Sequence, residues 1–339
     1  MNSSEKPRAL TPYETTVVAG LLGASEEREE RRIHASGLPR STYQDAKLRL
    51  YSQGIIEDRY VPSPAALGFS RVGFILSRPF AEDRDREVDE LERQPTTVLL
   101  WSMANSLFAV SYGNSPSIEA AGTESTRFTL NVDPATPSVP VYFDFEGAFD
   151  HLAGIDGSKR YPRPLPSGGS GENGLGTEKI AAIVRRPFEG VGTKGRMYPI
   201  RPASLPRSER HLLAQGQVDW RVFPNLAALP AFQGVHFSHV LFFHGMLRDE
   251  TSLDKIFHEL VEECVVFPFL LASDGSQVLI GGLSASIDQS AKQPRVPPFP
   301  RESVVAALGR HLQKISIIRE EIAHLNVRLS HRYDRLATR

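Results

Sequence analysis

The sequence predicts an α+β protein: an N-terminal winged helix-turn-helix, two ferredoxin-like βαββαβ domains and a long C-terminal helix. Three observations predict it. A polar helical stretch, "PRSTYQDAKLRLYSQ" (39–53), follows a Gly-Leu-Pro break. The chain then repeats itself: at a shift of 162, "LYSQGIIEDRYVPSPAAL" (50–67) lies ungapped over "LLAQGQVDWRVFPNLAAL" (212–229), with eight of eighteen residues identical. Third, apolar residues recur by sevens near the end: Leu308, Ile315, Ile322, Leu329 and Leu336, with Ile318 and Leu325 between them.

The N-terminal elements follow in order. "TPYETTVVAGLLG" (11–23) reads as a helix with Thr11 as N-cap and Tyr13, Val17, Val18, Leu21 and Leu22 as its core face. "SEEREERRIHAS" (25–36) reads as a second helix stopped by Gly37. At 100° per residue, helix 39–53 puts Tyr43, Ala46 and Leu50 on a narrow inward stripe with Lys47 on its flank. Ser41, Gln44, Asp45, Leu48, Arg49 and Ser52 point away. After Gly54, "IIEDRYVPSP" reads as a strand and a wing-like turn, which completes a winged helix-turn-helix over 1–67.

Strand, helix, strand, strand follows twice. The first set is 71–80, 83–94, 97–105 and 106–113; the second is 235–245, 251–263, 265–273 and 276–284. Each is part of a split βαβ sandwich. "RFTLNV" or "VPVYFDF" can complete the first, over 68–152, while the second, over 230–287, shows no completing strand. Between them lie a Gly/Ser/Pro linker (153–177) and a degenerate winged-helix copy (178–229). In that copy a second match, "LPRS" (38–41) on "LPRS" (205–208), has a shift of 167, so five residues are missing from its third helix. Pro187 also interrupts its first helix. The heptads of 301–339 predict an amphipathic helix and a coiled coil, packed on its own body or joining two chains.

Bulk properties narrow the function. The 339 residues allow several domains, and the net charge is −1. Cys264 is the single cysteine, which excludes an internal disulfide or a Cys-only metal site and fits a reducing cytoplasm. The N-terminus has no apolar run, and "VHFSHVLFFHGML" (235–247) is too short to span a membrane and holds three histidines. A cytoplasmic protein is expected, with no membrane partner. His236 and His244 alternate onto one strand face and His239 onto the other, so the three do not make one metal site from a regular strand. No GxxxxGK[ST], HExxH or GxSxG motif occurs, and "GGSGENGLG" (168–176) reads as linker. No catalytic residue, metal or cofactor is expected.

The polar third helix reads as a DNA reader. Arg40 and Gln44 suit base edges, Ser41 and Thr42 suit phosphates, and Asp45 and Lys47 share the surface. Arg49, and Arg59 in the wing, would hold the backbone. Residues 1–62 carry nine Lys/Arg but also nine acids, with Glu26, Glu27, Glu29 and Glu30 in one run. The basic face must therefore be local.

"GLPRSTYQDAKLRLYSQGII", followed by a Tyr, a Pro and "ALG", resembles the leucine-responsive/asparagine-regulator (Lrp/AsnC) family over about 10–145, and more weakly over 178–287. The resemblance implies a transcriptional regulator of double-stranded DNA with a small-molecule effector at the βαββαβ layer. It also implies a βαββαβ dimer, which two copies in one chain can make internally; with the second winged helix degenerate, the expected homodimer on DNA needs two chains, and the C-terminal heptads are the candidate joint. The same architecture has an enzymatic branch, the siroheme decarboxylases, which include fused two-copy chains and handle a tetrapyrrole. That is the enzymatic alternative; a non-catalytic assembly protein joined by its C-terminal helix is the other.

Overall fold

A computed structural model describes residues 10–23, 29–113, 124–132, 141–144, 162–168, 175–185, 190–191, 197–198, 202, 205–226, 231–232, 235–248, 252–287, 301–322 and 330–331. Helix α1 (Pro12–Gly23) starts in a capping box. Thr11 Oγ1 accepts from the Glu14 backbone N–H at 3.3 Å, and Glu14 Oε2 accepts from the Thr11 N–H at 2.9 Å. Helix α2 (Glu29–Ser36) stops at Gly37, whose φ of 66° lies in the left-handed region. Leu38 and Pro39 lead directly into α3 (Arg40–Ser52), where Tyr43, Ala46, Lys47 and Leu50 are buried.

Strand β1 (Ile56–Pro62) corrects the expected wing. It does not fold back as a hairpin but pairs antiparallel with β9 (Val218–Pro224), the matching strand of the second copy. Arg59 faces Arg221, and these are the same position of the repeat. On either side, Ser63 N–H donates to Gln217 O and Asn225 N–H to Ile55 O, both at 2.8 Å. Those two bonds also exchange under the shift of 162. The ladder is therefore centred on a two-fold internal to the chain.

Two mixed layers follow. The first holds β2 (Arg71–Arg78), α4 (Arg84–Arg93), β3 (Thr97–Ser102), β4 (Leu107–Gly113) and β5 (Glu124–Asn131); β5 is the "RFTLNV" strand. Strand β6 (Tyr142–Phe143) lies in "VPVYFDF" but leaves for the other layer. The second copy opens with α5 (Leu175–Arg185), the short pair β7 (Gly190–Val191) and β8 (Met197–Tyr198), and α6 (Arg207–Ala214). Its sheet comprises β10 (Ala231–Phe232), β11 (Val235–Leu247), β12 (Val266–Ser273) and β13 (Gln277–Ile287), with α7 (Leu253–Cys264) packed on it. Then come α8 (Arg301–His311), β14 (Leu312–Glu321) and β15 (Ser330–His331).

The strand orders match: β5-β2-β4-β3-β15 in one sheet, and β14-β11-β13-β12-β6 in the other, where β10 shares the β11 edge with β14. Each places its fourth, first, third and second strands side by side, as a split βαβ sandwich does. The outermost strands are exchanged: β6 of the first half pairs with β12, and β15 of the second half pairs with β3. The sheets face each other through aromatic rings, with Phe108 at 4.8 Å from Phe242 and Trp101 at 5.8 Å from Phe269. On the opposite face of the first sheet, Val88 and Leu91 of α4 cover Ile75, Leu100, Leu107 and Ala109. Alternation along the strands assigns the two faces.

The long C-terminal helix is not formed. Helix α8 buries Val304, Ala307 and Leu308, then stops, and "LQKISIIREE" runs as β14 along β11. The sheet supplies the reason. An uncovered β11 edge leaves a row of backbone groups unpaired, and β-branched Ile315, Ile317 and Ile318 suit a strand that pairs with it. Ile315 thus leaves the heptad seam, while Leu325, Leu329 and Leu336 lie outside the described residues. Residues 301–322 belong to the second layer, and β14 is the completing strand that the sequence does not reveal.

The predicted linker is also partly structural. Its residues 162–168 lie against the second copy: Arg221, 2 % exposed, donates to the carbonyls of Phe143 and Pro164, and Arg163 Nε lies 3.2 Å from Asp144 Oδ2. Gly168 N–H reaches Gly216 O at 2.9 Å. A side chain on Gly168 would collide with that backbone, its Cβ falling 2.4 Å from Gln215 O. Pro187 lies outside the described residues, and α5 ends just before it at Arg185.

Candidate nucleic-acid interface

Helix α3 is held from behind and open in front. Behind it, Tyr43, Ala46 and Leu50 pack on Val17, Val18 and Leu21 of α1, in one buried cluster. In front, Arg40, Ser41, Asp45, Arg49 and Ser52 are exposed, with Thr42, Gln44 and Leu48 half-buried at the margins. Beside the helix's start lies an open depression of about 400 Å³, lined by Glu30, Ile33, His34, Gly37, Leu38 and Arg40.

The eight residues expected to meet DNA therefore divide. Ser41, Asp45 and Arg49 share the exposed face, Thr42 borders it, and Arg40 is exposed at the helix's first residue, beside the depression toward α2. Arg49 Nε also lies 3.6 Å from Glu14 Oε1, which ties α3 to the capping box of α1. Gln44 is engaged by Glu29 through its side chain. Lys47 is a correction: it is 7 % exposed and its Nζ bonds Glu29 Oε1, so it braces α2 against α3. Its flank position places its ammonium over α2 rather than over solvent. Arg59 is the second correction. With no wing hairpin, it lies in the β1–β9 ladder and bonds Glu57 on its own strand.

A buried polar cluster underlies this face, and the reading of exposed residues missed it. Asp58 is 2 % exposed and accepts from Tyr51 Oη at 2.5 Å. Burial pushes its carboxyl up to about 7, against the pull of the Tyr51 hydrogen bond and the Lys47 and Arg32 charges. The Tyr51 phenol is raised well above its ordinary value by burial and by Asp58. At Glu29 burial acts upward, but Lys47, Gln44 and Arg32 together hold its carboxyl below the usual range. Arg32 is 3 % exposed, and its Nε and Nη1 have no hydrogen-bond partner among the described residues. The available signal was period two in β1: Ile56, Asp58 and Tyr60 all point inward, so Asp58 sits at an apolar position.

His239 and His244 of the histidine strand have separate neighbours. His239 Nδ1 lies 2.9 Å from Ser238 Oγ, and His244 Nε2 lies 3.0 Å from Gln277 Oε1. His258 is exposed on α7, and Cys264 is buried, its thiol pushed up to about 11 by burial. Among the described residues no three His, Cys, Asp or Glu side chains converge to hold a metal. Among them, too, no helix is long and apolar enough to cross a membrane.

No family model matches the chain, and no curated protein matches it. Solved structures with some likeness include two kinds. E. coli AsnC aligns at 16% identity over 39% of this chain and 99% of its own, with a TM-score of 0.29. MtbAldR aligns at 15% identity over 36% of this chain and 93% of its own, with a TM-score of 0.30. The siroheme decarboxylase NirDL aligns at 9% identity over 96% of this chain and 97% of its own, with a TM-score of 0.42.

Proposed function

We propose that the chain is a DNA-binding regulator that docks α3 in the major groove and works by binding rather than catalysis. One observation carries this reading: Ser41, Asp45 and Arg49 project from one uncovered face of a helix that follows a three-residue turn, as in a helix-turn-helix, with Arg40 exposed as its first residue. Arg40, at the N-terminal end that enters the groove, can donate two bonds to guanine. Asp45, one turn on, can accept from a cytosine amine. Ser41 and Arg49 are placed for phosphates on either side. The Lys47–Glu29 brace and the apolar stripe keep the helix fixed while these groups work.

Selection of genomic fragments at about 150 mM salt, with a salt series beside it, tests the reading. An enriched sequence bound with steep salt dependence is expected. Arg40→Ala should weaken binding to it by about 1–3 kcal/mol, the usual value of a good base contact, with unchanged circular dichroism. Fragments bound without enrichment, or an Arg40→Ala variant that binds as well as its parent, would overturn the proposal. In that event titration with an iron porphyrin, followed by visible absorbance, asks whether the sheets bind a tetrapyrrole instead.

A further inference from the structure

We infer that one chain carries a single reading head and takes an asymmetric DNA site alone, rather than sharing a palindrome with a second chain. The inference rests on the DNA reading above and names the kind of site. It comes from the internal two-fold. An isologous interface closes on itself, so once both of its halves are occupied it recruits no further copy. Here both halves lie in one chain. Arg59 pairs with its own repeat mate Arg221, and the flanking bonds Ser63–Gln217 and Asn225–Ile55 obey the same exchange. Each half also supplies the edge strand of the other's sheet, β6 to β12 and β15 to β3.

The two-fold does not extend to the heads. Helix α6 starts at Arg207, 167 residues after Arg40, and ends at Ala214, 162 after Ser52. The five-residue deletion is therefore taken out of the helix itself, about 1.4 of its turns. Gly216, at φ 66°, stops α6 as Gly54, at φ 64°, follows α3, so the frame around the lost residues is intact. Where the repeat would place a counterpart of α2, the second copy has β8, paired with β7. Of the C-terminal segment that could have joined two chains, Leu312–Glu321 are taken up as β14 on the second sheet.

Genomic selection followed by light scattering of the complex with the selected duplex tests this, together with paired variants. A motif without inverted symmetry, spanning about one helical turn or 10 bp, with one chain per duplex, is expected. Arg40→Ala should weaken that complex by about five- to 150-fold. Arg207→Ala and Arg210→Ala, on the exposed side of α6, should leave it unchanged. An inverted repeat holding two chains would overturn the inference and leave the DNA reading standing. So would loss of affinity on α6 equal to that of Arg40→Ala. Absence of any enriched sequence would overturn both.

Discussion

Lys47 and Arg49 stand two residues apart on α3 and do different jobs. Two residues rotate a helix by about 200°, enough to turn one cation over α2 and the other toward solvent. Composition counts both as basic surface; only the neighbouring helix tells them apart. Asp58 shows the same limit from inside. Because burial raises its carboxyl to about 7, the folded chain keeps a proton that the unfolded chain loses near 4. Its contribution to stability is fully present below about 4 and is lost as the pH rises through about 7. Urea midpoints of the parent and Asp58→Asn should thus diverge: the variant gains relative stability at about pH 8 over about pH 5. A difference between the two that stays constant with pH would show that Asp58 does not titrate there.

At the scale of elements, most of the pattern was legible. The N-cap at Thr11, the stop at Gly37, and the strand–helix–strand–strand runs follow from local chemistry and period. The wing and the C-terminal helix were not legible. A strand carries no mark of its partner, so β1 looked like half of a hairpin although its mate lies on the other side of the repeat. The seam around Ile315 satisfied a heptad and a strand alike, and an open edge on β11 decided between them. Packing at the glycines of β13 makes a prediction here. A Cβ on Gly281 would lie 2.7 Å from Phe269 Cζ, within the ring cluster that joins the sheets. Gly281→Ala should cost about 1–3 kcal/mol, read as a lower denaturant midpoint. A midpoint unchanged from the parent would mean the Phe269 ring can move aside freely.

For the whole molecule, the repeat was visible as a 162-residue self-match, but its meaning was not. Only the pairing of Arg59 with Arg221 turns a duplication into a closed pair of halves. If the pair is held by its ladder, aromatic core and exchanged strands, the backbone joining the halves is secondary. Expressed together as 1–170 and 171–339, the halves should copurify one to one by native mass spectrometry. Recovery of each half separately and folded would show that the linking peptide, and not the interface, unites them.

The exchanged strand β15 also imposes an order on synthesis. Strand β3 is made early, yet the strand that covers its edge leaves the ribosome more than two hundred residues later. At ordinary elongation rates that wait is on the order of ten to fifty seconds. Throughout it, the nascent first sheet presents an unpaired edge beside apolar Val98, Leu99 and Leu100. Two nascent chains on one message could meet through that edge, with the tail of one completing the sheet of its neighbour. The protein thus depends on a late-made strand to keep an early-made sheet to itself.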